Sequence, residues 1–363
     1  MKPRIYITLI LNLLAYNSPL FSQFHSEFFS NPIENQADSG KLSLTINASG
    51  FFHNNEFFST DVEGYTLTGN YIQPLLQYSI AENLSIGAGV HLLKYNGREN
   101  FSQKLPLLNI KYQASDNFEI LLGSFNGGDN FQLPEMLYAR EMQFTNLVNN
   151  GVSLKYDKNK VRVQSWLDWE RFIEPGDFFR EEFSFGSSAH FLILDNEKTA
   201  VVIPLYLMAN HKGGQINNNN QPIETIADIS SGLEYSMKLK NRHIEKVKFE
   251  ALFFLEKDIE SLQNGNAFMI QTTGINKLIH ASLGYFHGNN WESVHGNPFL
   301  FCGDFNTTDT KNMILIKTGI AKNITKGSAF SLRFEGYYDL KTNKLQYMYG
   351  FYLTINEFIH VLK

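Results

Sequence analysis

From Phe330 onward the apolar side chains fall on every second position: Phe330, Leu332, Phe334 and then Tyr338 share one face, while Ser331, Arg333, Glu335 and Tyr337 fill the gaps. A period of two belongs to strands, whose successive side chains point to opposite faces. After the polar break Lys341-Thr342-Asn343-Lys344 the alternation resumes, with Leu345, Tyr347, Tyr349, Phe351, Leu353 and Ile355 set against Gln346, Gly350, Tyr352, Thr354 and Asn356. Two such runs joined by a polar break predict a hairpin. Each half is about 10 residues long, carries aromatics near its ends and sets charge opposite a greasy face, the pattern of a membrane-spanning strand pair.

Composition agrees with that reading. The 363 residues are 43% hydrophobic and 14% aromatic but only 18% charged, a poorer charge content than soluble domains usually carry. After the N-terminus no run reaches the roughly 18 apolar residues of a membrane helix, so a membrane protein of this sequence has to be a barrel. A formal net charge of -5 gives no basic footprint for nucleic acid. The single cysteine, Cys302, excludes an internal disulfide framework and a multi-cysteine metal site.

Residues 1–23 have the three-part build of an export signal: Lys2 and Arg4 in front, the apolar stretch from Ile5 to Tyr16, then Pro19 and the small Ser22 near a cut. A polar lead over 24–41 precedes the first strand, and the barrel is expected to occupy 42–363. Pro74 cannot donate to a ladder, which predicts a bulge there. Gly87-Ala88-Gly89 lies within a strand with no helix after it, so it marks small residues on a crowded or inward face rather than a dinucleotide loop.

Short polar turns, such as Ala81-Glu82-Asn83 and Ser115-Asp116-Asn117, alternate with longer connections at 96–103, 126–150, 172–182, 211–224, 257–266 and 288–310. That asymmetry predicts one periplasmic and one external rim. It gives an all-β fold, a transmembrane antiparallel up-and-down β-barrel of about 16 strands in one domain. Barrels of that size enclose a water-filled lumen.

With the apolar faces turned to lipid, Lys111, Arg162, Asp228, Glu234, Lys238, Lys246, Lys248, Glu250, Lys317, Arg333 and Glu335 point inward. Both signs are present, which suits small hydrophilic solutes without sharp ion selectivity. These side chains can equally serve only to pair across strands. The connection 126–150 is longer than connections usually need to be. It holds Asp129, Phe131, Glu135, Tyr138, Arg140 and Glu141, and the spacing of Leu133, Leu137, Arg140 and Phe144 allows a helical turn. Folded into the mouth, it would bury its apolar groups on the wall and turn Asp129, Glu135 and Glu141 to the water path; the alternative is a loop lying on the rim.

Enzymatic chemistry has little local support. His190, His280 and His287 with nearby serines could supply a base and a nucleophile, yet no G-x-S-x-G elbow is present. His287, His295, Cys302, Asp304 and Asp309 could gather at a metal but match no zinc spacing; an acidic loop that binds calcium loosely is the more modest option, and neither a dedicated metal site nor a cofactor is expected.

The chain resembles the porin-like outer-membrane β-barrels of Gram-negative bacteria, particularly those of the Bacteroidota. The resemblance rests on the Ser22-Gln23 context ending the export signal and on Gly127-Gly128-Asp129-Asn130 through Leu133-Pro134-Glu135-Met136-Leu137-Tyr138 to Asn150-Gly151. The chain departs from many such barrels by running past Phe358 to Lys363 instead of ending on an aromatic residue. In similar porins the third external loop folds inward and narrows the pore, which implies a constriction role for 126–150. The expectation is therefore a non-enzymatic outer-membrane channel for passive diffusion of small hydrophilic solutes, surrounded by outer-membrane lipids, binding no nucleic acid and able to form a homo-oligomer. The alternatives are a plugged accessory barrel serving surface-protein export or attachment, and a hydrophobic-ligand transporter with Phe24, Phe28 and Phe29 in the lumen.

Overall fold

The computed structural model describes residues 39–58, 62–214, 216, 221–241, 243–303 and 309–362. The expected export signal over 1–23 lies outside the described residues, as do Phe24, Phe28 and Phe29 of the lead and Asp304. The strands are β1 (Leu42–Glu56), β2 (Tyr65–Ala81), β3 (Leu84–Tyr95), β4 (Gln103–Ser115), β5 (Phe118–Asn126), β6 (Val148–Lys158), β7 (Val161–Arg171) and β8 (Glu182–Asp195). They continue as β9 (Thr199–Lys212), β10 (Glu224–Lys238), β11 (Lys246–Asp258), β12 (Asn264–Ile275), β13 (Ile279–Asn289), β14 (Thr310–Asn323), β15 (Ser328–Asp339) and β16 (Lys344–Leu362). Each pairs antiparallel with its sequence neighbours, and β1 pairs with β16 to close the sheet.

Closure leaves no edge strand, the condition a sheet must meet in hydrocarbon. The seam is in register from Ser43↔His360 to Glu56↔Tyr347, and the outward rings of Phe52 and Phe351 stack across it, 5.0 Å apart. Leu332, Phe334, Phe351 and Leu353 all lie on the exposed outer face, while Ser331, Glu335, Tyr337, Gln346 and Tyr352 are buried inside. The alternation of the last hairpin is thus an inside and an outside.

Pro74 differs from expectation. It sits opposite Ile46 with the β1–β2 register unbroken, and the chain makes no bulge. On the β3 side the ladder skips Gln73 and Pro74 and resumes at Leu75↔Gly89 in the same register, so the missing N–H is met by a gap instead. Gly87 does face inward, and the Asn109 side chain occupies the space a Cβ would take.

Residues 82–83, 116–117 and 159–160 turn at one rim. The long connections leave from the other, and two of them, β5–β6 and β13–β14, enter the barrel. The β5–β6 connection contains a 3-10 turn (Gly128–Phe131) and the one-turn helix α1 (Met142–Thr145). No helix runs through Leu133, Leu137 and Arg140. The β13–β14 connection carries another 3-10 turn at Pro298–Leu300.

These two connections meet inward wall residues that are apolar rather than polar. Phe131, Met136 and Leu137 from the first, and Trp291, Phe299 and Leu300 from the second, share one buried cluster with Trp166, Tyr206, Met208, Leu252, Phe254, Met313 and Leu315. A second cluster joins Phe144 and Leu147 to Phe51, Tyr71, Leu93 and Tyr352. The core of this protein therefore lies inside the barrel. It also explains why the stretch from Val201 to Leu207 is apolar on both faces: Ile203 lies on the exposed outer face and Tyr206 belongs to the internal cluster.

Candidate functional site

The two inserted connections are joined by main-chain bonds, Ala139 N–H to the His295 carbonyl at 2.6 Å and Asn297 N–H to the Glu135 carbonyl at 2.8 Å. Gly296 permits this approach, since a Cβ there would overlap the Met136 carbonyl oxygen. Aromatic stacking fixes the first connection to the wall: Phe131 lies on Trp166, and Phe144 on Tyr352 with centroids 5.1 Å apart.

Beneath this packing, charged residues of loop and wall meet. Glu135 pairs with Lys317 and accepts from Tyr337 Oη at 3.2 Å; Glu335 accepts from the same hydroxyl at 2.8 Å. Arg140 lies 4.0 Å from Glu135 and 3.8 Å from Glu335, and Arg333 also pairs with Glu335. Glu135 was expected to face a water path. It is instead 5% exposed and ion-paired, because the wall opposite it supplies Lys317. Burial pushes the Asp129 carboxyl up, with Arg140 opposing, and burial likewise raises Glu141, which accepts from Tyr65.

The remaining inward candidates lie elsewhere on the wall. Lys111 meets Glu119 at 2.9 Å, Asp228 accepts from Ser293 at 2.6 Å, and Lys248 lies 3.0 Å from Glu234 and 2.8 Å from Glu250. Arg162 binds Asp157 near the short-turn rim, and Lys238 is exposed at the end of its strand. Lys246 lines a 310 Å³ cavity with Arg162, His190 and Glu234, and a 180 Å³ cavity lies between β1 and β7 on the same short-turn side.

A different group forms at the loop-end mouth. Ser184 on β8 has its Oγ 2.7 Å from His295 Nε2 and donates to Glu170 on β7. His295 Nε2 is 2.8 Å from Glu170 Oε1, and Asn210 on β9 donates to Ser184 Oγ at 3.1 Å. Hydroxyl and carboxylate converge on the same imidazole nitrogen. The arrangement is a triangle, in contrast to the linear relay in which the acid holds the far nitrogen.

Sequence reasoning missed Ser184 and Glu170, and treated His295 only as a possible metal ligand. The contacts span 111 and 125 positions, and no local spacing signals them. Of the histidines it did favour, His190 meets Tyr206 and His287 meets Asn312. Cys302 is buried, its thiol pushed up by burial, and among the described residues no three metal-ligating side chains gather.

A profile of the lipid A 3'-O-deacylase-type family matches residues 34–363. The chain belongs to the lipid A 3'-O-deacylase-type family. That membership corrects the expectation of a non-enzymatic barrel, because the family is one of enzymes. Missing sequence motifs misled here: the G-x-S-x-G elbow is a strand-to-helix device, which an all-strand barrel has no place for. No protein of curated function matches this deacylase-type chain in sequence.

Solved structures show its fold. The outer membrane protein OprD of Pseudomonas aeruginosa superposes with a TM-score of 0.52 at 8% identity, covering 92% of this chain and 99% of that one. OmpT of Vibrio cholerae, as a loop-deletion mutant, superposes with a TM-score of 0.52 at 10% identity, over 88% and 100%. The porin-like outer-membrane barrel anticipated from the alternation is the fold of this deacylase-type protein.

Proposed function

We propose that this barrel hydrolyses an ester-linked acyl chain of a lipid A-type molecule at its loop-end mouth, with Ser184 as nucleophile. The observation that carries this reading is the Ser184–His295–Glu170 triangle in a chain of a family described by 3'-O-deacylation. Ser184 Oγ attacks the ester carbonyl carbon while its proton passes to the His295–Glu170 pair. The pair returns that proton to the departing sugar oxygen, leaving an acyl-serine. Water then attacks the acyl carbon by the same route, freeing the fatty acid and restoring the hydroxyl. Asn210, already beside Oγ, is the nearest neutral donor for the developing oxyanion.

The outer face beside this cluster suits a lipid substrate. Trp169, Phe172, Phe178 and Phe179 are exposed on β7 and the connection after it, and Phe178 is 87% exposed. Aromatic side chains of this kind settle at the membrane interface, which would hold the rim against the lipids from which the substrate is drawn. Residues 1–23 serve as the export signal and are removed. The test is release of fatty acid from purified lipid A, with Ser184→Ala as the comparison.

Passive diffusion of small hydrophilic solutes is the second reading, favoured by the two polar cavities at the short-turn end. Here the connection 126–150 acts as the constriction, with Asp129, Phe131, Glu135, Tyr138, Arg140 and Glu141 in it. The apolar clusters that tie this connection to the wall argue for a closed lumen, and so place diffusion second. Conductance of the purified protein in planar bilayers separates the two.

A further inference from the structure

We infer that the 180 Å³ cavity at the short-turn end binds a neutral polyhydroxylated molecule, of the size of a single sugar ring, entering from the periplasmic side. The cavity lies on the inner wall of β1 to β7 and is bordered by the β2–β3 turn. Short turns face the periplasm in outer-membrane barrels, so this pocket opens opposite the mouth that holds Ser184.

The chemistry of its lining selects the ligand class. Eight carboxamides line it, among them Asn47, Gln73, Gln77, Asn109, Asn126 and Gln164. A carboxamide both donates and accepts, as a sugar hydroxyl does, so neighbouring amides match neighbouring hydroxyls. Several of them are fixed in place by one another. Gln73 and Asn126 exchange two bonds, at 3.1 and 2.9 Å, and Asn47 donates to Gln73 at 2.8 Å. Gln77 donates to Ser85 at 2.8 Å and Asn109 to the Ser124 carbonyl at 3.3 Å, each bond using only part of the amide's capacity. Held groups lose little entropy when a ligand arrives.

Charge and size narrow the class further. Two cations line the cavity, Lys111 and Lys155, and both turn to Glu119, at 2.9 and 3.8 Å. Glu119 behind the two lysines and Glu82 on the lining together cancel their formal charge. The 310 Å³ cavity of the same barrel differs, being lined by Arg162, Lys246, Lys248, Glu234 and Glu250. Phe125 and Phe358 give the neutral pocket apolar surface for the C–H face of a ring. A volume of 180 Å³ is below the roughly 300–1,000 Å³ of drug-sized sites, which excludes long oligosaccharides.

The experiment is saturation-transfer NMR on the full barrel, held in a phosphocholine detergent so that no sugar headgroup competes. The probes are methyl α-glucoside, methyl α-galactoside, N-acetylglucosamine and glucose 6-phosphate. At least one neutral probe is expected to receive saturation, with affinity reduced tenfold or more in Gln77→Met combined with Asn109→Leu and unchanged in Lys248→Met. Ser153→Phe, which fills the pocket from β6, abolishes the signal and serves if the double variant does not fold. Absence of transfer to every neutral probe, transfer to the phosphate alone, or a signal that survives both pocket variants overturns the assignment.

Discussion

The ring of Phe131 lies flat on that of Trp166, centroids 3.7 Å apart and planes within 3°. One residue belongs to a connection that could have lain on the rim, the other to an inward position of β7. Both are buried. Phe131→Ala therefore removes a core aromatic, at an expected cost of about 3–5 kcal/mol in unfolding free energy. Denaturant titration of the barrel in detergent measures it; a change below about 1 kcal/mol would mean that the stacking contributes little.

The same packing governs permeability. Replacing residues 131–145 by a short Gly-Ser linker removes Phe131, Met136, Leu137 and Phe144 from the internal clusters. Single-channel conductance in planar bilayers is expected to rise well above that of the parent. Equal conductance from a properly inserted variant would show that this connection does not close the lumen.

Lys317 is buried between Glu135 and Glu335. Lys317→Met leaves two buried carboxylates with less compensation, which costs about 3–5 kcal/mol when one partner of a buried pair is removed. Adding Glu135→Gln should recover part of that loss, since the pair is coupled. Strict additivity of the two changes in a double-mutant cycle would argue that the ion pair is not formed.

Gly296→Ala tests how closely the two inserted connections approach. The new methyl group would overlap the Met136 carbonyl, so about 1–3 kcal/mol of destabilisation is expected. The connections should also separate enough to admit protease at the loop end. Unchanged stability and protease resistance would contradict the observed contact.

Much of the fold was legible because a period of two leaves a plain trace. Phe330 to Ile355 and the alternation of short and long breaks lead directly to the closed barrel. Pro74 was misjudged because a missing donor can be met by a gap as well as by a bulge. The lumen was read as wet because its charges were visible and its apolar members were not. Leu252 and Phe254 follow Lys248 and Glu250 on the same inward face, and only the inserted connections give them a reason to be apolar. The mouth cluster was illegible for a simpler reason. Glu170 and Ser184 sit on the paired strands β7 and β8, but His295 comes from a distant connection, and only the inward fold of that connection brings it to them.

Release of fatty acid from purified lipid A, followed by mass spectrometry, tests the central claim most directly. The intact barrel is expected to remove one ester-linked acyl chain, and Ser184→Ala to lower the rate at least about a thousandfold. His295→Ala should lower it comparably, and the two together little further, because nucleophile and base act as a unit. Intact lipid A after incubation with the folded parent, or equal release by folded Ser184→Ala, would contradict the account.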